Sequence, residues 1–302
     1  MNSKDMKNKK THKRMILLLV VVFILAVLLL LGSFRGNKSN EKVPQVLSDF
    51  NDSDVRIGVV GGYVFGASVK NNLPETMLIF YDTRDEAYKS LVAGEVDAVA
   101  DDDAVIRAMM RSSNNVILVN EYVEPSEYGF LFPKTSEGEK LSEEMSAYLK
   151  KIKGNGKLEK LDDKWFGADM YNKVSDDITS LTGKNGTIKL GYMDSSIPFA
   201  YTSRNNPVGY DIDIAIGFCR EYGYKLDTVQ SDLPEIMDDI QGGRLDMGCG
   251  GITITEERKE TFIFSESDYS GGIALCTIQL SDKATQGDKL YTLFKSFNIF
   301  II

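Results

Sequence analysis

The sequence predicts an α/β protein of two lobes carried behind one apolar N-terminal segment. Three observations lead there. The chain has 302 residues, more than one small core needs; a strand–helix–glycine–strand pattern occurs twice; and an uncharged run of 18 residues lies near the start.

The leader comes first in the chain. Lys4, Lys7, Lys9, Lys10, Lys13 and Arg14 precede MILLLVVVFILAVLLLLG at 15–32. As a helix this run spans about 27 Å, close to the hydrocarbon thickness of a bilayer. Residues 1–14 are then a basic cytoplasmic leader, 15–32 a transmembrane anchor, and everything beyond extracytoplasmic by the positive-inside rule. A cleaved signal is the rival reading, but its apolar region is shorter as a rule, and LGSFRG offers no small-x-small cleavage site. The polar stretch 33–54 reads as a tether.

Composition narrows the partners. Residues 1–14 hold six basic side chains and one acidic, so of 35 basic and 44 acidic residues the rest of the chain keeps 29 and 43, a net of −14. Such an acidic domain is a poor partner for nucleic acid. His12, in the leader, is the one histidine, which excludes a histidine-dependent triad or a His-ligated metal in the folded part. Cys219, Cys249 and Cys276 are widely spaced inside apolar stretches and read as buried free thiols. No metal or cofactor is expected.

The repeated pattern carries the fold. VRIGVVGG (55–62) and IKLGYMDSS (188–196) each read as a short strand broken by glycine or small polar residues. EAYKSLVAGEVDAVADD (86–102) and EIMDDIQGGRLDMGCGG (235–251) each read as a helix closed by glycine and followed by a strand with aspartate near its start. Strand, helix and strand in alternation mean βαβ units and parallel sheet, whose strand ends and helix N-termini face a ligand-binding crevice.

The stretch GGITITEERKE (250–260) points to what enters that crevice. RLDMGCGGITIT reads as a strand whose glycines let backbone approach a ligand closely. Thr255 fits an N-cap with Glu256 and Glu257 in the first turn, and Arg258 then projects from that turn as a clamp for a carboxylate. A solvated surface arginine is the bland reading of the same residues.

Five motifs decide between the two. G-x(6)-PF-x-Y (191–201), VGYDIDIA (208–215), GGRLD (242–246), ITEER (254–258) and FSESDY (264–269), in this order and spacing, closely resemble the first lobe of family-3 extracytoplasmic solute-binding proteins, the amino-acid receptors of ABC importers. VRIGVVGG, AYKSLVAGEVDAVADD, the return strand YGFLFPK (128–134) and the helix EKLSEEMSAYLKKIKGNGKLEKLDDKWFG (139–167) resemble the second lobe and closing region of the same family. The resemblance implies a two-lobed periplasmic-binding-protein-like type II fold preceded by one N-terminal transmembrane helix. It places lobe 2 at 55–130, closing helices at 131–167, a linker at 168–186, lobe 1 at 187–280 and a tail at 281–302. Lobe 2 precedes lobe 1 here, the reverse of the usual order. A circular permutation accounts for this; a degenerate half-receptor followed by a shortened second one is the alternative.

The resemblance also implies a site. Arg258 would hold the α-carboxylate of an amino acid, helped by the backbone N–H of Ile252 or Thr253. The Thr253 hydroxyl, the Gly251 carbonyl and Asp102 from the other lobe would receive the α-ammonium. Val64 would offer an amide where the family has a polar turn, the hydroxyl there being lost in GGYVF. Ser196 and Leu233 would line the side-chain pocket, with Phe199 nearby in a packing role. Met193 stands where receptors for basic amino acids often carry an acid, so a neutral ligand is expected. No turnover is expected, although the fold also serves sensor domains and cyclohexadienyl dehydratases. The implied partners are a small amino acid, an ABC permease subunit and, through the leader, the membrane. The tail LYTLFKSFNIFII resembles the entry to a permease in receptor–permease fusions; a short amphipathic terminal helix is the alternative.

Overall fold

RIGVV at 56–60 is short, rich in β-branched residues and uncharged beyond its first position, a composition that suits a strand buried on both faces of a sheet. In the computed structural model, which describes residues 46–112, 115–167 and 173–278, it is β1 (Arg56–Val60). The leader, the apolar run 15–32, most of the tether and the tail lie outside the described residues. Among the described residues no helix is long and apolar enough to cross a membrane.

Lobe 2 follows the expected alternation. After β1 come α1 (Phe65–Asn72), β2 (Met77–Tyr81), α2 (Arg84–Ala93), β3 (Ala98–Asp102), α3 (Asp103–Ser112) and the long β4 (Val116–Tyr128). Thr83 opens α2 with a reciprocal cap: its hydroxyl accepts the Glu86 amide while Glu86 reaches back to the Thr83 amide. Gly94 ends α2 at φ 74°, a left-handed position that glycine occupies without Cβ strain.

Lobe 1 repeats the scheme. β5 (Leu131–Pro133) and the helices α4 (Ser136–Gly154) and α5 (Lys157–Phe166) lead to β6 (Thr187–Met193). A small hairpin sheet of β7 (Ser195–Ser196), β8 (Ala200–Ser203) and β9 (Asn206–Val208) follows. Then come α6 (Tyr210–Tyr222), β10 (Lys225–Ser231), α7 (Leu233–Gln241), β11 (Met247–Cys249), α8 (Glu256–Thr261), β12 (Phe262–Phe264) and β13 (Tyr269–Ile278).

The strands form two five-stranded sheets of matching design. One runs β2-β1-β3-β13-β4 and the other β10-β6-β11-β5-β12. In each, the first three strands are parallel and the fourth is antiparallel to both its neighbours. That fourth strand comes from the other half of the chain: β13 is laid into the lobe 2 sheet and β5 into the lobe 1 sheet. The chain therefore crosses between the sheets twice, at 129–130 and at 265–268. The crossings run side by side: the Ser265 amide donates to the Phe130 carbonyl (3.0 Å) and the Asp268 amide to the Tyr128 carbonyl (3.0 Å).

Apolar side chains fill both faces of both sheets. Ile57, Val59, Phe65, Ala100 and Leu275 pack on one side of the lobe 2 sheet, and Tyr88, Val99, Ile106 and Cys276 on the other. The lobe 1 core contains Phe132, Trp165, Leu190, Phe199, Ile214 and Phe218. All three cysteines are buried free thiols, as expected.

Five expectations need correction. Strand 269–278 belongs to the lobe 2 sheet, and the return strand YGFLFPK divides, with 131–133 in lobe 1. The helix expected over 139–167 is two helices, because Asn155 and Gly156 (φ 73°) break the backbone between them. The strand read through RLDMGCGGITIT is three residues long, ended by Gly250 (φ 125°) and Gly251 (φ 72°). The tether ends early: Leu47–Phe50 forms a 3-10 turn whose Phe50 is wholly buried against lobe 2.

Candidate functional site

The glycine pair after β11 lies on the lobe 1 side of the junction between the two lobes, where the ligand cleft is expected. Asp211, in the first turn of α6, accepts the Gly250 and Gly251 amides on one oxygen at 2.8 and 2.9 Å. A Cβ on Gly251 would come within 2.6 Å of the Phe199 ring, so this close packing needs glycine. The chain then turns through Ile252, whose carbonyl accepts the Gly129 amide, and Thr253, which bridges to Tyr128. Thr255 caps α8 as predicted, accepting the Arg258 amide at 3.2 Å.

Arg258 is not a solvated surface residue: it is 8% exposed. Its Nη1 donates to the Thr253 carbonyl at 2.8 Å, and among the described residues no carboxylate forms an ion pair with it. Burial pushes its pKa below the usual arginine value, offset only in part by the field of Asp102. A guanidinium carries five N–H donors and no acceptor, and an anion placed beside this one would offset the cost of burying its charge.

Across the cleft, Asp102 ends β3, and all three aspartates of DDD (101–103) are buried. Asp102 accepts the Tyr128 hydroxyl at 2.8 Å and pairs with Arg84 Nη2 at 3.2 Å. Burial, reinforced by Asp101, pushes the Asp102 carboxyl up to about 7 against the pull of Arg84 and Tyr128.

Arg84 is, with Tyr128, a member of the site that the sequence reading missed. It is the first residue of α2 and 7% exposed. Nε donates to both Asp101 oxygens (3.1 and 3.0 Å), while Nη2 lies 3.0 Å from Asp101 and 3.2 Å from Asp102. The rings of Tyr63 and Phe65 lie 4.9 and 5.9 Å from its Cζ. Burial works against its charge, but Asp101, Tyr63 and Asp102 outweigh it and raise its pKa. Nη1 reaches the other lobe, donating to Ser196 Oγ at 3.0 Å and the Ser195 carbonyl at 3.5 Å. A signal was present: TRDE (83–86) repeats the cap–acid–arginine composition of TEER (255–258) at the start of a helix.

The remaining expected residues fall into two groups. Ser196 meets the cleft through Arg84. Val64 is half-buried ahead of α1, in a loop that touches lobe 1: the Tyr63 hydroxyl donates to Met193 Sδ at 3.5 Å, and Gly62 lies against Pro234. Leu233 instead packs with Leu131, Met193, Ile236 and Ile252 in an apolar cluster, and Phe199 stacks on Tyr128 as a packing residue. The structure thus brings Arg258, Thr253, Tyr128, Asp102, Arg84 and Ser196 into one connected set spanning both lobes.

Beside the glycine pair lie two buried acids. Asp211 Oδ1 and both Asp268 oxygens have no hydrogen-bond partner among the described residues. Burial pushes Asp211 up to about 7, and burial reinforced by Asp211 raises Asp268 well above the ordinary carboxylate range.

Residues 188–296 match the sequence profile of bacterial extracellular solute-binding proteins, family 3. Over 142 residues the chain is 31% identical to the L-glutamate/L-aspartate-binding protein of Pseudomonas aeruginosa, covering 42% of this chain and 44% of that protein. Over 114 residues it is 25% identical to the ABC transporter glutamine-binding protein GlnH of Bacillus subtilis, covering 38% and 41%. Over 98 residues it is 30% identical to a cyclohexadienyl dehydratase of Pseudomonas aeruginosa, covering 31% and 37%. The chain spans less than half the length of each of these curated relatives. Among solved structures, the VFT2 domain of BvgS from Bordetella pertussis aligns with a TM-score of 0.38 at 12% identity, covering 84% of this chain and 88% of that one.

Proposed function

We propose that this chain, whose residues 188–296 match the profile of family-3 extracellular solute-binding proteins, binds an amino acid between its two lobes without turning it over and hands it to a membrane permease. The observation that carries the reading is Arg258, a buried guanidinium with no carboxylate paired to it among the described residues. The ligand's α-carboxylate completes it, and Asp102, some way round the same cleft, accepts the α-ammonium. Burying both ends of a zwitterion requires opposite charges and satisfied hydrogen bonds on each.

Charge balance supports a ligand of no net charge. The cleft holds Arg84 and Arg258 against Asp101 and Asp102, and a zwitterion leaves that balance unchanged. Met193, in contact with Tyr63, offers no partner to a cationic side chain. The two strand crossings supply a hinge on which the lobes close, and the leader supplies the anchor that holds the domain outside the membrane. The return of β13 into the lobe 2 sheet is what a permuted two-lobed receptor requires, and it argues against a half-receptor followed by a fragment.

Isothermal titration of the full chain in detergent against the twenty amino acids tests the reading. At least one neutral amino acid should bind, and Arg258→Ala should weaken that binding by about 2–5 kcal/mol by leaving a buried carboxylate unpaired. An affinity for the variant within threefold of the parent would remove Arg258 from the site.

A further inference from the structure

We propose that Arg84 determines specificity in this cleft, selecting an amino acid whose side chain ends in an acceptor oxygen: a carboxamide if the ligand is uncharged as proposed above, a carboxylate if that part of the reading fails. The inference rests on the amino-acid-binding reading and names the ligand class within it.

The argument is one of donors and their partners. Two of the three guanidinium nitrogens are engaged inside lobe 2: Nε with Asp101, and Nη2 with Asp101 and Asp102. The rings of Tyr63 and Phe65 flank the group within the same lobe. The guanidinium is therefore held in place by its own lobe whether or not the cleft is closed. Nη1 differs. Its hydrogen-bond partners are Ser196 Oγ and the Ser195 carbonyl, both across the cleft, and the second is at the 3.5 Å limit of a hydrogen bond. When the lobes part, this nitrogen keeps neither.

A ligand entering between the lobes thus meets a charged, donor-only group aimed at Ser196, a position where the resemblance places the side-chain pocket. Arginine has no acceptor and stays protonated, so a side chain closing over Nη1 must bring an acceptor or leave a charged donor unsatisfied in a buried site. An aliphatic side chain brings none, and an ammonium adds a like charge. A carboxamide or carboxylate oxygen takes the place of Ser196 Oγ, and Asp101 still anchors the guanidinium when Asp102 turns to the α-ammonium.

The test is a selectivity ratio. The full chain in detergent is titrated with glutamine, glutamate, methionine, leucine and lysine. Glutamine or glutamate should bind about 30-fold or more tighter than methionine, which has a similar length and no carbonyl-type acceptor. Which of the two binds better separates a carboxamide site from a carboxylate site. The double variant Arg84→Gln with Asp101→Asn keeps the site uncharged and hydrogen-bonded, and should shrink the ratio at least tenfold. A parent protein that binds methionine or leucine within threefold of glutamine and glutamate overturns the assignment of Arg84 and leaves amino-acid binding standing. A folded double variant with an unchanged ratio does the same. Failure of all twenty amino acids to bind overturns both readings together.

Discussion

Arg84 and Arg258 start from nearly the same local sequence and end in opposite electrostatic settings. Each lies in the first turn of a helix capped by a threonine, in TRDE and TEER, and each is almost fully buried at 7% and 8% exposure. Arg84 is surrounded by Asp101 and Asp102, and its pKa rises. Arg258 has a backbone carbonyl and, among the described residues, no paired carboxylate, and its pKa falls. The caps set where each arginine sits along its helix, while distant chain decides whether its charge is already answered. A buried cation that is answered holds a lobe together and has only a leftover hydrogen-bond donor to offer a ligand; one that is not offers its charge as well.

The strongest way to break this comparison is to measure stability. Arg84→Ala strands two buried aspartates and should cost about 3–5 kcal/mol in urea unfolding. Arg258→Ala removes a charge that burial disfavours, and should leave stability within about 1 kcal/mol of the parent or raise it. If Arg258→Ala proves the more damaging, the two roles have been assigned the wrong way round.

The acids allow a second, smaller test. Asp102 and Asp211 are held near 7 and Asp268 higher, all above the value of about 4 expected in the unfolded chain. Each ionises more readily when unfolded. Their stabilising contribution is therefore complete below about pH 4 and is lost as pH rises through about 7. Thermal melts should show a fall of several degrees between pH 5 and pH 8, and Asp268→Asn should flatten it. A melting temperature that rises over this range would mean that these carboxyls are ionised in the fold.

The smallest effect sharpens the picture on the Arg84 side. Tyr128→Phe removes one hydrogen bond to Asp102 and should cost about 1 kcal/mol in urea unfolding. That hydroxyl holds the Asp102 pKa down, so its loss should also carry the acid-side stability to higher pH. An unchanged pH profile would show that Arg84 alone governs Asp102.

Much of the fold was legible because it is local. The strand β1, the helix α2 with its closing glycine, the strand β3 and the Thr255 cap each follow from a few neighbouring residues, whereas α1 and β2 between them were not read. The exchange of β5 and β13 between sheets was not, since GFLFPK and YSGGIALCTI have the composition of a strand for either sheet. Of the site, Arg258 stood out through its cap and the motif around it. Asp102 stood out through the family resemblance, although its neighbours made it look solvated. Arg84 escaped because its partners Asp101, Asp102 and Ser196 lie 17, 18 and 112 residues away, where no periodicity reaches. The pairing of Asp211 with Asp268 escaped for the same reason.

The placement of β13 bears on how the chain is made. It lies between β3 and β4, so the two flanking strands cannot bond to each other and must wait with open edges until residues 269–278 arrive. On the ribosome, lobe 2 is synthesised first yet closes last, after nearly all of lobe 1 has emerged. Its exposed β3 and β4 edges are then a template for wrong pairing with another nascent chain. A pause or a break in synthesis before residue 269 would leave a lobe 1 able to fold beside a lobe 2 that cannot.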